Sequence, residues 1–179
     1  MRGHPVTRHA WQRTELIQHS HCSYCGTRYP DDATWPRTCP GCTETTWHNP
    51  LPVAMVLLPV ISDDGPGLIV IRRDIEPARG ELALPGGFIE TGETWQEAAV
   101  RELREETGIP ADAGTVRLFD VMSTPGTINI FALLPAMHSA DLPPSAPTDE
   151  ATEWLVITAP RRLAFTTATD AVARYFASA

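Results

Sequence analysis

Two C-x-x-C pairs, Cys22-Ser-Tyr-Cys25 and Cys39-Pro-Gly-Cys42, stand thirteen residues apart and constrain the first part of this chain more tightly than any hydrophobic pattern does. Two residues between cysteines let both sulfurs of one tight turn reach the same ion, and a second such turn completes a tetrahedral four-thiolate zinc site. Gly26 and Gly41 are expected to give the turns their backbone freedom. A pair of disulfides and a redox dithiol are the competing readings. Disulfides belong to oxidising compartments, and one C-x-x-C suffices for dithiol chemistry, so Zn²⁺ fits the spacing better. With Cys22, Cys25, Cys39 and Cys42 all available, His19, His21 and His48 are spare. A closed four-thiolate site leaves no open position for catalysis, which makes its zinc structural.

The composition changes at His48-Asn49-Pro50, where this Cys-, His- and Trp-bearing segment gives way to β-branched runs. Residues 1–49 are therefore assigned to an N-terminal segment holding a zinc ribbon at about 20–48, and residues 50–179 to a second domain with its own core. Charge divides similarly. Residues 1–50 hold five Arg against four acids and residues 51–179 nine Arg against eighteen, for a net charge of −8 with no Lys anywhere. An acidic body without a basic stripe argues against broad nucleic-acid binding and suits a site that collects cations. The longest apolar run, residues 51–61, is eleven residues with two prolines, too short to cross a bilayer. Residues 1–10 carry two Arg and two His with no apolar segment after them, so no signal peptide is visible. The expected compartment is the cytoplasm, with no membrane partner.

Beyond Pro50 the pattern is that of strands. Val53-Ala-Met-Val-Leu-Leu-Pro-Val60 and Leu68-Ile-Val-Ile-Arg-Arg73 flank turn residues at 63–67, which predicts a buried hairpin. Continuous rather than alternating apolarity predicts a sheet covered by helices on both faces. Thr94-Trp-Gln-Glu97 reads as a capping box, so a helix should run to about Thr107 and stop at Gly108. With Glu102 set at 0°, about 100° per residue places Glu106 near 40° and Glu105 near −60°, while Val100, Leu103 and Thr107 fall at about 100–160°. One face packs and the other crowds three carboxylates that repel one another. A hard divalent cation, Mg²⁺ or Mn²⁺, would relieve that crowding. The competing reading is a solvated helix face held by Glu97–Arg101 pairing. Near the end of the chain, Ala171, Val172, Tyr175 and Phe176 are spaced to pack one face of a last helix, and residues 142–147 read as a proline-rich loop near the site entrance.

Residues 87–109 run Gly87, five residues, Glu93, seven residues, Arg101-Glu102-Leu103, Arg104, Glu105-Glu106, Thr107, Gly108, Ile109. This resembles the Nudix box, G-x5-E-x7-R-E-U-x-E-E-x-G-U with U aliphatic, at every fixed position. The resemblance spans about residues 51–178. It implies an α/β fold, the Nudix α/β/α sandwich with a mixed sheet. It also implies Mg²⁺- or Mn²⁺-dependent hydrolysis of a nucleoside diphosphate linked to another moiety, such as ADP-ribose, a dinucleotide or a nucleotide sugar. Carried over residue by residue, Glu102, Glu105, Glu106 and the Gly86 carbonyl would be metal ligands, Glu93 a carboxylate behind them, and Arg101 its orienting partner. A general base sometimes comes from a later loop acid. Glu150 and Glu153 are the candidates, Glu153 being preferred because Thr-Glu-Trp-Leu-Val-Ile157 resembles the family's late strand; an exposed edge-strand acid is the competing reading. Phe88, Ser123 and Phe131 are candidate substrate contacts, although aromatics such as Trp95, Phe88 and Phe131 also read as core. A homodimer is a family expectation.

A zinc ribbon ahead of a Nudix domain is similar to the NADH pyrophosphatase subfamily, which carries S-Q-P-W-P-F-P-x-S after the box. Here the corresponding stretch is Ser123-Thr-Pro-Gly-Thr-Ile-Asn-Ile-Phe131, which keeps Ser123 and Pro125 but not the Trp or Phe. A strong preference for NADH is therefore not expected. Two functional classes follow from the residues, an enzyme acting on a small nucleotide and a ligand-sensing module whose ribbon contacts a partner protein. The intact carboxylate set favours the enzyme.

Overall fold

Backbone hydrogen bonds fold both C-x-x-C segments into the same turn. Gly26 N donates to Cys22 O at 2.9 Å and Cys22 N to Thr27 O at 2.8 Å; Thr43 N donates to Cys39 O at 2.9 Å and Cys39 N to Glu44 O at 2.8 Å. The residue after each second cysteine is left-handed, Gly26 with φ 75° and Thr43 with φ 66°. The expectation for Gly41 is corrected here, because it is Thr43 that takes the left-handed position. Gly41 is needed for space, since a Cβ there would lie 2.4 Å from Thr27 Oγ1. Two short antiparallel strands, β1 (Arg37–Thr38) and β2 (Thr45–Thr46), bracket the second turn.

The computed structural model describes residues 18–63 and 65–178, and the chain divides between Asn49 and Pro50 into two compact units. Residues 1–10, on which the signal-peptide expectation rests, and Asp64 of the expected turn lie outside the described residues.

In the second unit the side chains of β3 (Leu51–Leu57) alternate between two cores. Ala54 and Val56 face one, Met55 and Leu57 the other. A strand buried on both faces needs a layer on each side. The apolar run predicted as one strand of a hairpin is cut at Pro59, which has no N–H to continue a ladder. Leu57 O accepts Leu134 N at 3.0 Å, whereas Leu58 O accepts Ile69 N at 3.1 Å. The hairpin is therefore β4 (Pro59–Ser62) with β5 (Gly65–Arg73), and β3 belongs to a different sheet.

The remaining strands are β6 (Leu82–Ala83), β7 (Gly86–Phe88), β8 (Arg117–Ser123), β9 (Thr127–Leu133), β10 (Met137–His138) and β11 (Ala151–Ile157). One mixed sheet has the order β7-β3-β9-β8, with β3 and β9 parallel. The other has the order β10-β4-β5-β11, with β6 also on β5 and β10 parallel to β4.

Helix α1 (Trp95–Thr107) covers one core with Ala98, Ala99 and Leu103, and α2 (Thr166–Ser178) covers the other with Ala168, Ala171 and Val172. This is the α/β/α arrangement expected. Both ends of α1 follow the sequence. The Thr94 hydroxyl accepts Glu97 N at 3.2 Å, the Glu97 carboxylate accepts Thr94 N at 2.7 Å, and Gly108 ends the helix at φ 73°. Phe131 is fully buried between Met55, Leu57 and α2 residues. That corrects its assignment as a substrate contact, since a ring inside the core cannot stack on a base.

Candidate metal and catalytic site

The C-terminal half of α1 and the β7 turn bring the box carboxylates together. Gly86 has φ 152°, and a Cβ on it would sit 2.3 Å from Ala54 O. A Cβ on Gly87 would sit 2.4 Å from Glu102 Oε1. Glycine at both positions lets β7 lie against β3 on one side and against α1 on the other. That approach allows Gly86 N to donate to Glu106 Oε2 at 2.7 Å.

Glu106 is buried, and burial pushes its carboxyl up to about 8; the charges of Glu102 and Glu150 add to the rise while the Gly86 N–H and Arg73 oppose it. Burial likewise raises Glu102, against the pull of Arg101. Glu105 is half-exposed on the same arc.

Arg101 organises the acids. Its Nη2 donates to Glu93 Oε1 at 2.7 Å and its Nε to Glu93 Oε2 at 3.1 Å, a two-pronged pair. Nη1 donates to Glu102 Oε1 at 2.7 Å and to Glu105 Oε2 at 3.2 Å, and Nη2 also reaches Phe88 O at 3.0 Å. These bonds hold Glu93 below the usual carboxylate range and raise Arg101. Glu97, the partner in the competing reading, is bound to Thr94 instead.

Glu102, Glu105 and Glu106 line one cavity of about 390 Å³ together with Thr148, Asp149 and Glu150. Of the two loop acids, the structure brings Glu150 to this cavity and not Glu153. Glu153 is opposite Arg72 in the β5–β11 ladder, and Arg72 Nε donates to its Oε1 at 2.7 Å. A register shift between Ala151 and Glu153 separates the two acids. Asp149 and Thr148 were not legible in the sequence; their one signal is position, directly after the proline-rich loop. Phe88 is 57% exposed at the end of β7, beside the Arg101 clamp. Ser123 is exposed at the end of β8. The residues after it close a hairpin in which the Thr124 hydroxyl accepts Thr127 N at 2.9 Å and Gly126 N at 3.3 Å.

In the first unit, the Cys22, Cys25, Cys39 and Cys42 sulfurs all lie within 4.8 Å of one another. None forms a disulfide. A tetrahedral ion with metal–sulfur bonds near 2.3 Å requires sulfurs about 3.8 Å apart; the Cys22–Cys42 and Cys25–Cys39 pairs measure 3.8 Å and 3.5 Å. Tyr24 N points at Cys22 Sγ and Gly41 N at Cys39 Sγ, each at 3.4 Å. Burial acts to raise Cys22, yet the Cys25 and Tyr24 N–H groups and the Tyr29 hydroxyl bring it down to about 6. Against the Glu44 N–H, burial and the other sulfurs push Cys42 up to about 12. A fourth negative sulfur in this cluster thus requires a cation, and the donor set fits zinc. Among the described residues these four are the one group of such side chains whose donor atoms already converge; the box carboxylates are spread by their bonds to Arg101 and Gly86.

A three-layer fold with this box, helix and Arg–Glu clamp defines the class. The chain belongs to the NUDIX domain family, which matches residues 50–174. Among solved structures, a NUDIX hydrolase from Nitrosomonas europaea aligns with a TM-score of 0.68 at 26% identity, covering 89% of this chain and 91% of that one. An ADP-ribose pyrophosphatase from Methanocaldococcus jannaschii is 55% identical over 42 residues, 24% of this chain and 25% of that protein. The NAD-capped RNA hydrolase NudC of Escherichia coli is 32% identical over 92 residues, 51% of this chain and 34% of that protein. The chain thus spans between a quarter and about a third of the length of these two curated relatives.

Proposed function

We propose that residues 50–179 are a hydrolase that cleaves the diphosphate bond of a nucleoside diphosphate linked to another moiety, and that residues 1–49 carry a structural Zn²⁺ on Cys22, Cys25, Cys39 and Cys42. The observation that carries the proposal is the cavity lined by Glu102, Glu105, Glu106 and Glu150. Its buried acids are costly to ionise without a cation nearby. Glu102, Glu105, Glu106 and the Gly86 carbonyl would hold Mg²⁺ or Mn²⁺. Bound there, such an ion neutralises a diphosphate and brings the pKa of a bound water towards neutrality.

The chain's own residues do the rest. Glu93 fixes Arg101, and Arg101 sets the orientation of Glu102 and Glu105. Glu150, rather than the Arg72-bound Glu153, takes the proton of the attacking water at its carboxylate. Phe88 and Ser123 are left as the substrate contacts from the sequence, since Phe131 is core. The relatives' names, ADP-ribose pyrophosphatase and NAD-capped RNA hydrolase, fit the same substrate class.

No described helix is long and apolar enough to cross a membrane, and the cytoplasm is the compartment we assign. The family expectation of a homodimer is checked by light scattering. The decisive experiment incubates the protein with ADP-ribose, NADH, diadenosine polyphosphates, nucleotide sugars and nucleoside triphosphates, with and without Mg²⁺ or Mn²⁺, and resolves the products by chromatography. Metal-dependent release of a nucleoside monophosphate is expected. Binding without turnover of any of them would make this a sensing module.

A further inference from the structure

Arg73 is a cation set into the protein with part of its guanidinium uncommitted. It is only 9% exposed, its guanidinium lies 5.2 Å from the centre of the Phe165 ring, and its Nε donates to Pro77 O at 2.9 Å. Interior arginines are almost always paired with an acid, yet among the described residues no carboxylate forms an ion pair with it. Its neighbour Arg72 has Glu153, and Arg101 has three acids. Trp154 Nε1 is the one fully buried side-chain nitrogen or oxygen without a partner among the described residues. Among the described residues the two Nη groups of Arg73 have no hydrogen-bond partner, and neither is among the fully buried unpaired atoms.

Its place in the fold gives this uncommitted edge a meaning. Arg73 is the last residue of β5, opposite Ala151 in the ladder, and Asp74 N donates to Glu150 O at 2.7 Å. The backbone of the arginine thus adjoins the Glu150 rim of the acidic cavity, whose lining does not include its side chain. Its charge is felt at Glu106, where it opposes the rise in that carboxyl. The backbone is pinned as well: Arg73 N donates to Glu81 O at 3.0 Å and Gly80 N to Arg73 O at 2.8 Å, which closes the intervening loop over it. A cleft of five acids repels a diphosphate. A pre-positioned guanidinium beside it offers planar donors matched to phosphate oxygens.

Resting on the hydrolase reading above, we propose that Arg73 is a phosphate-recognition residue whose free Nη edge takes a non-bridging oxygen of the substrate's diphosphate, while the cavity's carboxylates take the cations. The test uses the full chain with Mg²⁺ and inorganic pyrophosphate as the probe, measured by calorimetry on wild type, Arg73→Lys and Arg73→Gln. Lys keeps the charge but loses the fork, so affinity should fall about tenfold, and by about a hundredfold for Gln. KM for the best nucleotide found should rise in parallel, with kcat moving less. A residue that only supports the loop would lower the melting temperature and leave the affinity of the folded protein unchanged. Should Arg73→Gln fail to fold, Arg73→Lys decides alone. Wild-type affinity in a folded Arg73→Lys, or no pyrophosphate binding by wild type, overturns the proposal. Binding that depends on Arg73, in a protein that hydrolyses none of the nucleotides, would leave this anion site standing and count against the hydrolase reading.

Discussion

Replacing Glu106 by Gln should make the magnesium-free protein more stable at neutral pH while abolishing turnover. Burial takes the Glu106 carboxyl from an ordinary 4.5 to about 8. An acid raised in this way holds its proton more tightly folded than unfolded. The stability it lends is therefore complete below about pH 4.5 and is lost as the pH climbs through about 8. At about 1.4 kcal/mol per pH unit, holding this group folded at pH 7 costs about 3 kcal/mol. Gln keeps an oxygen for the Gly86 N–H but buries a new amide donor, which costs about 1–3 kcal/mol. The net expectation is a gain of about 1 kcal/mol, some 3–5 °C in a unit of this size. At about pH 5, only half a unit above the unfolded acid's 4.5, the cost of holding the group protonated has fallen to about 1 kcal/mol, no more than the amide penalty, so the gain should vanish or reverse. Thermal melts followed by circular dichroism from about pH 5 to about pH 8 measure this. The buffers must lack both magnesium and chelator, because a chelator would also strip any metal that the cysteine cluster holds. Glu105→Gln, half-exposed on the same arc, is the control for loss of a carboxylate that is not buried. Adding Mg²⁺ should stabilise wild type and not Glu106→Gln. The reasoning is refuted if Glu106→Gln is equally or less stable at pH 8 with the same pH profile as wild type.

Glu102→Gln should fold normally and lose at least about 10³-fold in kcat, whereas Glu97→Gln, a capping residue outside the arc, should cost stability rather than turnover. Glu150→Gln should cost about 10²–10⁴-fold and Glu153→Gln little, read as kcat at saturating metal; the reverse order would restore Glu153 as the base. Purified protein should contain about one zinc per chain by elemental analysis, and Cys22→Ser or Cys39→Ser should release it and unfold the first unit, since such zinc contributes on the order of 10 kcal/mol. Leu103→Ala, which empties a fully buried position under α1, should cost about 2–5 kcal/mol in urea titration. NADH should not exceed ADP-ribose by about a hundredfold in kcat/KM, a gap of roughly 2.7 kcal/mol.

What the chain determines by itself is whatever depends on neighbours in sequence. The Thr94–Glu97 capping box, the Gly108 stop and the arc of Glu102, Glu105 and Glu106 lie within a few turns of one helix, so residue type and helical period suffice to place them. The four-cysteine cluster is nearly as local, because each C-x-x-C fixes two sulfurs within one turn, although it took backbone geometry to show Thr43, not Gly41, in the left-handed position. Tertiary structure decided everything set by distant partners. Pro59 splits an apparently continuous strand because β9 and β5 compete for adjacent carbonyls. Phe131 is core because α2 covers it, a fact more than thirty residues away in sequence. Glu150 and not Glu153 reaches the cavity because Arg72, across the sheet, binds Glu153. The elevation of Glu106 has the same origin: burial and the convergence of Gly86, Glu102 and Glu150 are properties of the assembled layers, and a local pattern carries no record of how much water the fold excludes.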